Sequence, residues 1–87
     1  METQKLYDDL ISLINEQIEN DALPSRLKEV IFKPDMRLND LGLDSIALVA
    51  LQTSLMDMTD SFLSDSLFSD NPSLWEIAQR ISDSIET

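Results

Sequence analysis

Ser45 is the residue best placed to do chemistry, because Leu41-Gly42-Leu43-Asp44-Ser45-Ile46 turns from loop into apolar helix at its hydroxyl. Asp44 has the side chain suited to accept hydrogen bonds from the open amides of a first helical turn, so it is the expected N-cap. From Ile46 onward, Ile46-Ala47-Leu48-Val49-Ala50-Leu51 is dense in apolar residues with no breaker until past Leu55, which predicts a helix from Ser45 to about Met58. Ser45 then falls in the first turn, where unpaired amides and the helix dipole favour negative charge. A phosphodiester on its oxygen would be tolerated and oriented there. Gly42, the only glycine of the chain, supplies the backbone freedom such a turn needs. An isolated Asp-Ser pair also marks an ordinary capped helix, so its surroundings must decide.

Eighty-seven residues are expected to make one domain, residues 1–87, with a single modest core and no room for a cleft walled by two lobes. With no cysteine and no histidine, disulfides, thiolate metal sites and the commonest general base are missing, and no enzyme is expected. Asp57, Asp60, Asp65 and Asp70 lack the alternation and central glycine of a calcium loop, so no metal is expected. Seventeen acidic against six basic residues give a net charge of −11, which argues against nucleic acid and anionic membrane and for basic partners. Arg26, Lys28, Lys33 and Arg37 precede Ser45, whereas after it only Arg80 opposes a run of acids. No apolar stretch has the length of a membrane span. Met1 is followed by acidic and polar residues rather than a secretory pattern, so a cytoplasmic monomer is the expectation.

The elements that must position Ser45 read as an all-α fold, a small four-helix bundle of three main helices and one short helix, with a long loop between the first and second. Leu6, Leu10, Leu13, Ile14 and Ile18 recur at helical spacing and predict a first helix from about Thr3 to Asn20, capped by Thr3. Asp21 to Asp44, with Pro24, Pro34 and Gly42, reads as a long connection with one helical turn near Ser25 to Glu29. Leu48, Leu51, Leu55 and Met58 are the expected core face of the second helix. Ile46, Val49, Ala50 and Thr53 form a second uncharged face, either packed under the loop or offered to partners. A short helix or turn follows over Phe62 to Phe68. Ser73 with Glu76 three residues on is a capping box for a last helix reaching Ile85, with Leu74, Ile77, Ala78, Ile81 and Ile85 inward and Trp75 as a partly buried lid.

The Leu41 to Ile46 run resembles the phosphopantetheine attachment motif of acyl and peptidyl carrier proteins. Pro34-Asp35-Met36-Arg37-Leu38-Asn39-Asp40 is similar to the loop leading into that family's attachment helix. Leu63 to Phe68, then Asp70-Asn71-Pro72-Ser73-Leu74, resemble its third helix and the start of its fourth. The resemblance implies that a phosphopantetheinyl transferase places a 4'-phosphopantetheine arm from coenzyme A on Ser45, with Asp44 as cap and motif residue. It also implies that acyl intermediates ride on the arm's thiol as thioesters, so the chain would catalyse nothing itself. Acyl-loading and acyl-processing enzymes such as a ketosynthase or acyltransferase would be the partners.

The Asp70 to Leu74 segment is more similar to polyketide and nonribosomal peptide carriers than to fatty-acid carriers. Fatty-acid carriers typically present acids along the helix after the serine; the matching positions here, expected to be exposed, are Ala47, Ala50 and Met56, leaving Asp57 as the main survivor. A polyketide-like or other specialised pathway is therefore the expectation, with docking through Leu43, Ile46, Val49 and Ala50 and help from Asp57. A fatty-acid carrier and an amino- or aryl-acid carrier are the alternatives within the resemblance, and an unmodified acidic helical binding protein is the one outside it. Leu51, Leu55 and Leu67 would line any shelter for cargo.

Overall fold

Apolar residues at helical spacing decide where the three long helices of the computed structural model lie; the structure describes residues 3–85. Helix α1 spans Thr3–Glu19 and buries Leu6, Tyr7, Leu10, Ile14 and Ile18. Helix α2 spans Ser45–Thr59 and buries Ala47, Leu51 and Leu55. Helix α3 spans Leu74–Ile85 and buries Leu74, Ile77, Ala78, Ile81 and Ser82. Three short 3-10 turns, Ser25–Glu29, Leu38–Leu41 and Asp65–Phe68, complete an all-α bundle. The short element expected over Phe62 to Phe68 is the Asp65–Phe68 turn and the one expected near Ser25 to Glu29 is present, whereas Leu38–Leu41 is an additional turn. Thr3, expected as the cap of α1, is itself helical.

The α2 stripe differs from expectation at its two ends. Residues 47, 51 and 55 repeat every fourth position and share one face, so Ala47 in the first turn is buried at 7% exposure. Met58 shares that face but lies in the last turn of α2, and is 37% exposed. Leu48 packs only partly against the core.

The helices stop without glycine. Asp21, at φ 62°, adopts the left-handed conformation that ends α1. Ala22 N–H then donates to Gln17 C=O at 2.9 Å and Asp21 N–H to Ile18 C=O at 3.2 Å, the paired closure of a Schellman motif. Asp60, at φ 53°, does the same after α2, with Ser61 N–H donating to Met56 C=O at 3.3 Å.

The long connection is not loose. Leu23, Leu27, Leu38 and Leu41 insert into the same core as the helices. Its backbone also pairs with the segment leading into α3. Leu38 N–H donates to Pro72 C=O at 2.9 Å, Leu74 N–H to Met36 C=O at 2.8 Å and Trp75 N–H to Pro34 C=O at 3.0 Å. Arg37 and Ser73 form an isolated antiparallel bridge. Asn71 reinforces it by accepting the Asn39 amide on its side-chain oxygen at 2.8 Å. These bonds satisfy backbone groups that a 24-residue connection (positions 21–44) would otherwise leave to solvent. Trp75 covers this end of α1, its ring 5.7 Å from that of Tyr7.

Candidate functional site

Ser45 is set by anchors on either side of it. Leu41, wholly buried, ends the Leu38–Leu41 turn, and Ala47 begins the buried row of α2. Between them the chain must reverse from a tight turn into a helix. Gly42 makes the reversal at φ 63° and ψ 35°, its N–H donating to Asn39 C=O at 3.1 Å. An L side chain is disfavoured in that conformation, which explains the position of the chain's single glycine. Leu43 folds back and packs partly on the core.

Asp44 is extended at φ −84° and ψ 177°, and its side chain accepts the Ala47 amide at 2.8 Å. Its carbonyl accepts the first intrahelical bond, from Leu48 at 3.0 Å. Ser45 is consequently the first residue of α2, and its side chain is exposed. The amides of Ser45 and Ile46 precede that first intrahelical bond, leaving the positive end of the dipole at the serine.

A comparison within the chain isolates what is special about Ser45. Ser73 also stands at a helix start, but its hydroxyl accepts the Glu76 amide at 3.1 Å and it is 8% exposed. Ser73 is the cap of α3, as its spacing predicts. Glu76 extends instead toward Arg37, 4.0 Å away. At α2 the cap is the preceding aspartate, so the helix does not need the Ser45 hydroxyl.

The family described as "Phosphopantetheine attachment site" matches residues 9–81 of this chain. The chain belongs to that family. Comparison with curated proteins and with solved structures gave no match. Members of the phosphopantetheine attachment family hold 4'-phosphopantetheine covalently on a serine and act as carriers, generally without catalysis of their own. A carrier of this kind works with a phosphopantetheinyl transferase and with biosynthetic enzymes. Among the described residues no helix is long and apolar enough to cross a membrane.

The residues present fit such a group at Ser45. An acceptor serine must be reachable by a second protein and must not be consumed by its own fold, and the exposure of Ser45 together with capping by Asp44 meets both demands. The first-turn amides can face a phosphodiester.

The other residues singled out by sequence fall into two groups. Ile46, 81% exposed, and Val49, 60% exposed, lie one and four residues beyond Ser45, with Ala50 half-buried beside them. The uncharged second face of α2 is thus turned to solvent, not packed under the long connection. Asp57 is exposed on the same side of the helix as Ile46, but twelve residues after Ser45, or roughly 18 Å along the axis. It does not touch the serine's surroundings. Leu51 and Leu55 are fully buried packing residues.

One residue at the site has no local sequence signal. Arg26, on the Ser25–Glu29 turn, donates from Nη2 to the carbonyls of Leu41 at 2.6 Å and Gly42 at 3.2 Å. Sequence shows it only as one of several basic residues upstream of the serine.

Proposed function

We propose that Ser45 is the attachment point and that the chain carries acyl or related groups for a polyketide-like or other specialised pathway. The observation that carries this reading is an exposed serine at the first position of a helix capped by its neighbour Asp44. When bound, the prosthetic group supplies a thiol on a long arm, the nucleophile that a chain without cysteine lacks. Everything else belongs to the protein. Asp44 sets the helix start, Gly42 shapes the approach, and the first-turn amides face the phosphodiester.

Partner enzymes would read the surface around the serine. Ile46, Val49 and Ala50 offer an uncharged patch there, and the partly buried Leu43 precedes the serine by two residues. Asp57 is the only charged residue in α2 and lies at its far end. Ala47 is buried and Met56 partly so, and the exposed positions of α2 that precede Asp57, among them Ile46, Val49 and Thr53, carry no charge. Docking is therefore chiefly apolar and weakly salt-dependent, which favours a specialised pathway over traffic through several charge pairs. Carriage for fatty-acid synthesis would instead show as a steep salt dependence of productive partner contacts.

The attachment reading is tested by incubating the purified chain with coenzyme A and a promiscuous phosphopantetheinyl transferase, followed by intact-mass analysis. Wild type is expected to gain one arm and Ser45→Ala none. Modification of Ser45→Ala would move the site elsewhere.

A further inference from the structure

We propose that Arg26 is a positioning residue for modification of Ser45, holding the glycine-containing approach to α2 in the form that a transferase recognises. The inference rests on Ser45 being the attachment point. From Gly42 to Ile46 only Leu43 is partly buried, so the stretch bearing the serine has little packing of its own. It also contains the one residue, Gly42, with the widest backbone freedom. Left to itself it would sample several approaches to the helix.

Arg26 removes that freedom from outside. Its backbone is fixed by Leu27, 1% exposed, and by the Leu27 N–H donating to Pro24 C=O at 3.1 Å. The guanidinium reaches fifteen and sixteen residues along the chain to two successive carbonyls, those of Leu41 and Gly42. Binding both fixes the peptide planes on either side of Gly42. Both bonds leave the one nitrogen Nη2, whose hydrogens are held in the guanidinium plane and so fix the direction of each bond, whereas a lysine ammonium rotates freely on its stem and is a poorer substitute. The fit is close: a Cβ on Gly42 would lie 2.6 Å from Nη2. The turn carbonyls at Leu41 and Gly42, which the end of a helical turn leaves without intrahelical donors, thereby find their partner.

The consequence is kinetic. If the competent form of the loop is populated only a fraction of the time, apparent affinity for a partner falls by that fraction. Loss of the clamp should thus raise the transferase's KM for the carrier and leave kcat nearly unchanged. A merely structural role would not do so below the melting transition, where the variant is still folded.

The experiment measures transferase kinetics on wild type, Arg26→Ala and Arg26→Lys, with melting curves and amide exchange on the same samples. The expectation is a KM about tenfold higher for Arg26→Ala and an intermediate value for Arg26→Lys, with faster exchange at the Gly42 and Ala47 amides. Equal KM and equal exchange in the folded variants would overturn the proposal. Should Arg26→Ala fail to fold, Arg26→Lys decides alone: a raised KM supports the clamp and a wild-type KM refutes it. A wild-type chain that takes no arm would refute the attachment site instead. The clamp is then judged by Gly42 and Ala47 exchange, where no change on substitution overturns it.

Discussion

The carboxylate of Asp44 accepts the amide of Ala47 at 2.8 Å, and this bond decides that α2 begins at Ser45. Replacing the cap by alanine, Asp44→Ala, should cost about 1 kcal/mol. In a chain of this size that lowers the melting temperature by roughly 4–8 °C. Asp44→Asn keeps an accepting oxygen and should recover most of the loss, which a pair of thermal melts will check.

Asp60 ends α2 in the left-handed conformation at φ 53°, with its negative charge at the negative end of the helix dipole. Glycine would relieve both, against a smaller loss from greater freedom of the unfolded chain. Asp60→Gly should therefore stabilise the fold by about 0.5–1 kcal/mol. Chemical denaturation would register this as a higher midpoint with an unchanged slope.

These aspartates also explain what could be read from sequence. Apolar spacing located α1, α2 and α3 within a residue or so of their ends, and Asp44, Ser45 and Ser73 were legible because capping is a local pattern. The Ser25–Glu29 turn was legible too. Leu51 and Leu55 face inward as their spacing predicts, but Ala47, expected to be exposed, faces inward too, because an alanine carries little sign of which way it faces when both sides of a helix are apolar. The pairing of residues 34–38 with 72–75 was hidden, being a contact between segments far apart in the chain. Arg26 was hidden for the same reason: nothing near it in sequence indicates that its partners are the Leu41 and Gly42 carbonyls.

Burial holds the Tyr7 phenol above its ordinary pKa of 10.0, with Asp8 and then Asp35 adding to the effect. The folded chain therefore keeps the phenol proton to higher pH than the unfolded chain. Below the unfolded value both states are protonated and this contribution to stability is complete; it is lost as pH rises above about 10. Ultraviolet titration of the phenolate, set beside melts from pH 8 to 11, should show a late ionisation and falling stability. Substituting Phe at Tyr7 should flatten that alkaline fall.

Ile46 and Leu51 are both large and apolar on one helix, yet they should behave oppositely. Leu51 is completely buried, so Leu51→Ala should destabilise by about 2–5 kcal/mol. Ile46 is 81% exposed, and Ile46→Asp should alter stability by no more than about 0.5 kcal/mol. The same Ile46→Asp change should weaken productive contact with partner enzymes. Denaturation curves and a transferase assay on the two variants separate packing from recognition.

The central claim is that the Ser45 oxygen receives the arm. Its most direct measurement is the mass of the intact chain after reaction with coenzyme A and a phosphopantetheinyl transferase, with peptide mapping of the product. One added arm, mapped to Ser45 and absent from a folded Ser45→Ala variant, is the predicted result. An unchanged wild-type mass, or an arm mapped to any other serine, would contradict it.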